Sequence, residues 1–442
     1  MEIKARRIYY SVFIIIFLIL APTLLLYSLG YRYDSARHTL YQTGLIDIKT
    51  KPNGASLYVN GNLIGKTNLV VPNLKPGYYA LEMTKDGYLT WQKEIEVVAS
   101  QTAIFGHIVL FQDNIEPRLI VKEVKSLSLS NDSQRFIYQD TNNNLWLSDL
   151  SGSVQPVSPN NTFPVSTFQW SASDEYCLIT TQNNNYYFSL ANPEQEYSLQ
   201  NVTQITSAIK SFKWDKRVDS FLYFINQEQI WRYDLDKDNL ISTEFNFRII
   251  DYLTDSNNLY ILGDQNGTKL YKYNWSDSAL EILADFQTND LNFINSYNSD
   301  NYLFINDIDN QQTRIFSLSE NSFLAELPLI QFVQISASQE QVLLYDQHQI
   351  WLWDKNSQEK NLLTRFVSPI NNVTYYEDQP YLFFSNEKQL KVIELDNRNR
   401  LIQSIWSGDI ASIIPLNKNK LLIVEANPTK TPTYNLLELT IH

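Results

Sequence analysis

"YVNGNLIGKTN", Tyr58 to Asn68, carries two glycines, a lysine and a threonine in the order that grips a phosphate in nucleotide-binding loops. Such a loop needs four residues between its first glycine and the Gly-Lys pair, and a helix directly behind, so that backbone N–H groups and the helix N-terminus converge on the anion. Gly61 and Gly65 enclose only three residues, and the following Asn68-Leu69-Val70-Val71-Pro72 is β-branched, ends in proline and has no helical period. Asn60-Gly61 is instead the strongest short hairpin signal a sequence offers. The stretch therefore reads as two strands and a tight turn, no nucleotide is expected, and Lys66 is expected to be a solvated charge at a strand edge.

The same reading extends on both sides. Leu57 and Val59 alternate with Ser56, Tyr58 and Asn60; Tyr79, Leu81 and Met83 with Ala80, Glu82 and Thr84; Ile95 and Val97 with Glu94 and Glu96. This is the period of half-buried strands. Pro52-Asn53-Gly54, Lys75-Pro76-Gly77 and Asp86-Gly87 suit the turns between them. Eight of the 12 glycines fall at Gly30, Gly44, Gly54, Gly61, Gly65, Gly77, Gly87 and Gly106, so the chain changes character near Phe111. A small all-β domain over residues 44–112 is expected.

Before it, Ile8 to Leu29 is an almost unbroken apolar run, long enough as a helix to span about 30 Å of hydrocarbon. Tyr9 and Tyr10 lie at one end, and Tyr27, Tyr31 and Tyr33 at the other, where amphipathic rings favour headgroups. Lys4, Arg6 and Arg7 precede the run and argue for a cytoplasmic N-terminus; Arg32 and Arg37 beyond it narrow the margin, and Asp34 partly offsets them. Residues 1–30 are thus expected to be a single-pass anchor, 31–43 a stem, and the bulk of the chain extracytoplasmic, with no cytoplasmic signalling domain. A cleaved signal peptide, with Ser28 and Gly30 as small residues before the cut, is the alternative.

Composition bounds the function classes. The 442 residues are 44% hydrophobic and 13% aromatic, enough to bury sizeable cores. A formal net charge of -13 opposes attraction to nucleic acid, which is excluded as an expected partner. A single cysteine, Cys177, rules out an intramolecular disulfide and any cysteine-built metal site.

Pro52-Asn53-Gly54-Ala55, Val59-Asn60-Gly61, Gly65-Lys66-Thr67, Leu74-Lys75-Pro76-Gly77-Tyr78 and Gly87-Tyr88 with Trp91, all within Gly44 to Val98, resemble in order and spacing the PEGA domain of bacterial and archaeal envelope proteins. Asn53 replaces the family's glutamate, and Asn68 stands where a proline usually follows the threonine. The resemblance implies a small β-sandwich serving as a surface-exposed structural or binding module, with no catalytic residues to carry over. The Gly30-Tyr31-Arg32-Tyr33 stem after a single anchor also resembles the layout of such proteins in bacteria with reduced genomes.

From about Pro117 a loose repeat of about 40 residues begins, made of strands and turns only, which is the signature of propeller blades. Very apolar strands recur at Arg135–Tyr138, Tyr176–Ile179, Phe221–Ile225, Leu259–Leu262, Tyr302–Ile305, Gln341–Tyr345, Tyr381–Phe384 and Leu421–Val424. A second signature strand follows most of them: "LWLSDL" at Leu145, "YYFSL" at Tyr186, "IWRYDL" at Ile230, "LYKYN" at Leu270, "RIFSL" at Arg314, "IWLWD" at Ile350 and "LKVIEL" at Leu390. Residues 113–442 are expected to form a β-propeller of eight blades, or seven if one repeat is misassigned. "PRLIVKEV", Pro117 to Val124, is expected to pair into the final blade and close the ring, removing open edges. The rhythm "S-x-D … I-x-x-x-D-L" resembles TolB-like bacterial propellers rather than WD40 repeats. With four glycines left for this region, asparagine is expected to serve many of its turns.

Candidate chemistry is sparse. Asp234, Asp236, Asp238 and Asn239 have the oxygen spacing of a calcium loop, but its twelfth position is Phe245 and the segment follows a signature strand, where a hairpin is required. Asn306 to Asn310, "NDIDN", is a weaker case. His38, His107, His348 and His442 show no ligand spacing, so no metal and no cofactor is expected. No Gly-x-Ser-x-Gly elbow occurs, and the chain ends with the propeller rather than an appended hydrolase domain. Of Trp351 and Trp353, which could stack on sugars, at least one is expected between sheets. The sequence thus points to a membrane-anchored, non-catalytic binding or scaffold protein of the bacterial cell envelope, with a surface polysaccharide or another envelope protein as partner. An assembly factor for other envelope proteins is a variant of that reading, differing only in the partner. A carbohydrate-active enzyme using carboxylates in the propeller channel is the alternative.

Overall fold

The computed structural model describes residues 3–35, 38–157, 163–203, 205, 209–294, 296–297, 301–336, 340–376, 379–416, 419–427 and 432–442. Arg37, one of the charges weighed for orientation, lies outside them.

The apolar run folds as one helix, α1 (Ile3–Ser28), whose Tyr9–Ser28 portion is long and apolar enough to cross a membrane and is buried by nothing else in the chain. By length and composition it is compatible with a membrane anchor or a signal sequence. Gly30, at φ +81°, ends the helix: its N–H donates to Tyr27 O, as the left-handed residue of a helix stop must. A hairpin follows, β1 (Tyr31–Asp34) with β2 (Thr39–Gln42). Arg32 fastens the joint by donating to Tyr27 O at the helix end and to Asn73 Oδ1 in the next domain, with its guanidinium 3.7 Å over the Tyr27 ring. Lys75 pairs with Asp34 at 2.8 Å.

Seven strands form the sandwich: β3 (Gly44–Lys51), β4 (Ser56–Val59), β5 (Asn62–Lys66), β6 (Leu69–Leu74), β7 (Gly77–Thr84), β8 (Trp91–Val97) and β9 (Thr102–Val109). One sheet has the order β6-β3-β9, with β3 and β9 parallel, and the other β5-β4-β7-β8. Alternation places Ile46 and Ile48 from one sheet against Leu57, Leu81, Met83, Trp91 and Ile95 from the other. Asn60 (φ 49°) and Gly61 (φ 79°) make the tight turn between β4 and β5, and Lys66 is exposed at the end of the edge strand. Thr67 is buried; its hydroxyl meets that of Thr50 at 2.6 Å and accepts from Ala55 N, while Asn68 Oδ1 accepts from Thr50 N. The phosphate-loop threonine is thus a rivet between strands.

Eight further sheets follow among the described residues. Seven have four strands in chain order, spanning residues 126–157, 165–198, 210–244, 248–285, 291–328, 332–365 and 370–407, and the sheet over 332–365 carries in addition Ser296–Tyr297, parallel to its Phe332–Ile335 strand. The eighth combines Ile410–Pro415, Lys420–Asn427 and Thr433–Thr440 with β10 (Arg118–Val124), which joins from the far end of the region. Each apolar segment singled out above is the second strand of its sheet, and each signature segment the third. First strands of several neighbouring sheets lie side by side, while fourth strands are largely exposed, the layering of a β-propeller. Phe136 of the first sheet shares a core with Leu422, Val424 and Leu436 of the eighth. Arg118 on β10 donates to both carboxylate oxygens of Glu438, at 3.1 and 3.0 Å, and Lys420 donates to the same group.

The turns differ from expectation. Asn143, Asn266, Asn321 and Asn399 do take left-handed backbone in this region, but so do Ser133, Asp174, Asp238, Ser256, Ser278 and Gln311. Two-residue hairpins at Gln227-Glu228 and Glu387-Lys388 hold both residues there. The twist of flanking strands imposes that geometry on whichever residue sits at the tip.

Candidate functional site

A buried polar cluster joins the two β domains. Strand β8, "WQKEIEV", alternates so that Trp91, Lys93, Ile95 and Val97 face inward. Lys93 is therefore driven to a buried position, and its ammonium meets Glu394 Oε2 at 2.7 Å and Asp396 at 3.6 Å. Glu394 ends the third strand of the seventh sheet. Its other oxygen accepts from Trp91 Nε1 at 2.6 Å and from the Tyr381 hydroxyl at 3.3 Å, so both oxygens of this buried carboxylate have donors. The Tyr381 oxygen in turn accepts from Val109 N at the end of β9. Burial, before the charge of Glu394, drives the Tyr381 hydroxyl far above its ordinary pKa, so it stays a donor. Around this clasp Arg398 donates to Ile104 O and lies 4.0 Å over Phe105, Gln403 donates to Thr90 O, and Phe111 packs edge-on against Tyr381 and Phe383.

Beside the clasp is a cleft of 520 Å³ lined by Tyr78, Glu94, Glu96, Gln101, Arg398 and Asn399. Arg398 is held by Asp396. Burial pushes that carboxyl up, but hydrogen bonds from Arg398 and the charge of Lys93 outweigh it and keep Asp396 below its usual range. Sequence reasoning missed Lys93 and Glu394. The signal was present: extending the Ile95/Val97 alternation back by one step puts a lysine on the apolar face.

The carboxylates on the innermost strands, and several along one rim of the propeller, are engaged by protein donors. On the innermost strands the described acids are Asp251 and Asp255. Asp251 accepts from Lys213 at 2.8 Å, from Tyr252 N and from Phe293 N in the neighbouring sheet, and Asp255 pairs with Arg217 at 3.0 Å. Other acids staple one sheet to the next along a rim. Asp174 accepts from Asn131 N and Asp132 N; Asp219 from the Ser171 hydroxyl, Ser173 N and Glu175 N; Asp215 from Ser256 N as well as Arg217 N and Val218 N. Burial pushes Asp174 and Asp215 above the ordinary carboxylate range. These groups hold neighbouring sheets together.

The remaining sequence candidates resolve similarly. Asp234 to Asn239 is a hairpin turn: Asp238 has φ 47° and accepts from the Tyr233 hydroxyl, Asp236 accepts from the Tyr176 hydroxyl, and Asp234 pairs with Lys237. In Asn306 to Asn310, Asp307 is buried and accepts twice from Asn310, and Asn306 is tied to Thr313 and Ile330. No cluster of His, Cys, Asp and Glu suited to a metal occurs among the described residues. Trp353 is fully buried and Trp351 packs against the same core. Cys177 is buried, which pushes its thiol well above the ordinary value.

Fold and clasp together define a sandwich module docked on a β-propeller. Residues 43–107 match the PEGA domain family. No curated protein matches the chain. Among solved structures it is similar to the C-terminal WD40 domain of Sif2, at 13% identity over 74% of this chain and 98% of that one, TM-score 0.49. It is also similar to the WD40 repeats of RRP9 (9%, 74% and 100%, 0.40) and to Kluyveromyces lactis Hsv2p (13%, 63% and 97%, 0.39). The propeller assignment rests on the strand order itself.

Proposed function

We propose that this chain is a membrane-anchored, non-catalytic scaffold of the bacterial cell envelope. In this reading α1 crosses the membrane with its N-terminus in the cytoplasm, and the PEGA sandwich is a spacer. The propeller, of TolB-like kind, has eight blades closed by β10 and presents a face to a surface polysaccharide or to another envelope protein. The observation that carries the reading is the clasp of Lys93 and Trp91 on Glu394. A spacer that must hold a binding disc at a set height and tilt needs a join that does not swivel, and a buried ion pair whose carboxylate has donors on both oxygens supplies one. The engagement of Asp251 and Asp255 supports a role without turnover.

The test is photo-crosslinking of the full-length chain in intact cells, with probes on the exposed propeller rim, combined with protease accessibility from outside and turnover assays of the purified chain on envelope glycans and peptides. A defined crosslinked partner, external cleavage of the propeller and no turnover are the expected results. Degradation of polymer by the purified chain overturns the non-catalytic reading, and protection of the propeller in intact cells overturns the topology.

A further inference from the structure

The first strands of the sixth, seventh and eighth sheets, with Tyr345 of a second strand, line a cleft of 260 Å³. Gln334, Asn372 and Ser412 each occupy the third position of their strand, so three successive repeats bring one polar side chain apiece to the same place. The two amides are half used. Gln334 Oε1 accepts from Tyr375 N at 3.4 Å, and Asn372 Nδ2 donates to Ala411 O at 2.8 Å, each fastening the adjacent strand. This fixes both amides in orientation and leaves Gln334 Nε2 as a donor and Asn372 Oδ1 as an acceptor, neither with a protein partner among the described residues. The hydroxyls of Ser412 and Thr374 line the same space and are likewise unpartnered there.

The remaining walls are apolar. Val333, Val373 and Ile413 are buried beneath the cavity, and Phe332 lies against Tyr345 with ring centroids 5.4 Å apart. No charged side chain contributes to the lining among the described residues. An anion would find no cation here and a carboxylate-seeking amine no anion, while an alkyl chain would leave two oriented amides and two hydroxyls without partners. What fits fixed donors and acceptors beside apolar and aromatic walls is a neutral ring whose edge carries hydroxyls and whose faces carry C–H groups.

We propose that this cavity binds a single neutral sugar residue, free or at the end of a glycan, through Gln334, Asn372, Thr374 and Ser412. The proposal rests on the binding-protein reading above and names its ligand class.

It is tested by saturation-transfer NMR on the full-length chain, held in a detergent without a sugar headgroup. The probes are methyl glycosides of neutral hexoses, with a methyl uronate and an amino sugar as charged comparators. Neutral glycosides are expected to receive magnetisation at millimolar concentration, and the charged ones to bind at least about tenfold more weakly. Ser412→Leu, which fills the cavity and breaks no protein hydrogen bond among the described residues, is expected to abolish the signal at an unchanged thermal midpoint. Asn372→Ala is expected to weaken it by about five- to tenfold. No transfer to any neutral glycoside, or equal transfer to Ser412→Leu, overturns the proposal. If sugars fail while crosslinking still returns a defined protein partner, the sugar site falls and the scaffold reading stands; if a bound glycoside is hydrolysed, the site stands and the non-catalytic reading falls.

Discussion

The sandwich and the propeller solve the same problem, reversing a strand tightly, with different chemistry. In the sandwich the backbone does it through glycine, as at Gly61, where φ is 79° and no neighbouring atom would meet an added Cβ. In the propeller, left-handed backbone falls mostly on non-glycine residues, and side-chain carboxylates brace several turns: Asp140 accepts from Asn142 N and Asn144 N, Asp149 from Ser151 N and Ser153 N, Asp346 from His348 N and Gln349 N, and Asp354 from Asn356 N and Ser357 N. These are turns closed by an Asx side chain. Several of the chain's acids are therefore engaged in making its turns.

Five substitutions press on this contrast. The largest effect belongs where the regions meet: Lys93→Met strands the buried Glu394 carboxylate and is expected to destabilise by about 3–5 kcal/mol. Chemical denaturation measures it, and adding Glu394→Gln, which removes the charge but keeps an acceptor for Trp91 Nε1 and the Tyr381 hydroxyl, is expected to restore part of the loss. A single mutant with no effect would mean the domains are not held by this pair. Next, Asp219→Ala removes a carboxylate accepting three hydrogen bonds from the neighbouring sheet, an expected loss of about 2–3 kcal/mol. Third, Gly61→Ala forces a Cβ into left-handed backbone and should destabilise by roughly 1–2 kcal/mol, whereas Ser278→Gly, at φ 57° in the propeller, should shift stability by less than about 1 kcal/mol. Equal responses at the two sites would erase the distinction between the two kinds of turn.

The smallest effect is one of pH. Asp149 and Asp354 are held below the ordinary value of 3.8, first by the Ser151 hydroxyl and the Ser357 amide respectively. Their contribution is complete above that value and is lost as pH falls through the folded pKa. Asp215 has the opposite sign: burial raises its folded pKa, so its charge opposes folding at neutral pH and the penalty is relieved as pH falls toward and below that raised value. Stability of the parent relative to Asp215→Asn is thus expected to improve between pH 7 and pH 4. A constant difference across that window would show that Asp215 titrates as it does in the unfolded chain.

Much of the architecture is legible in the sequence because it is local. The apolar second strands, such as Leu421–Val424, announce themselves by composition, Asn60-Gly61 by turn chemistry, and Pro117–Val124 by being a strand with no neighbour in its own repeat. What stays hidden is what the packing of distant sheets brings together. Lys93 and Glu394 are 301 residues apart, and nothing in either neighbourhood names the other. Gln334, Asn372 and Ser412 look like ordinary polar residues until three repeats are set side by side. The staples at Asp174 and Asp219 have the same character, since each serves a sheet it does not belong to.

The pairing of β10 with the last sheet also has a timetable. Arg118 and Glu438 are 320 residues apart. At about 5–20 residues per second of synthesis, β10 waits roughly 15–60 s for its partner strand. The sandwich, contiguous in sequence, can assemble in that interval with Lys93 still hydrated, and it loses that water only when the seventh sheet arrives. Meanwhile β10 is an unpaired strand open to pairing with a neighbouring nascent chain. Production of this protein is therefore expected to be limited by what shields one short strand during that wait, and slower growth at high expression to favour aggregates joined through it.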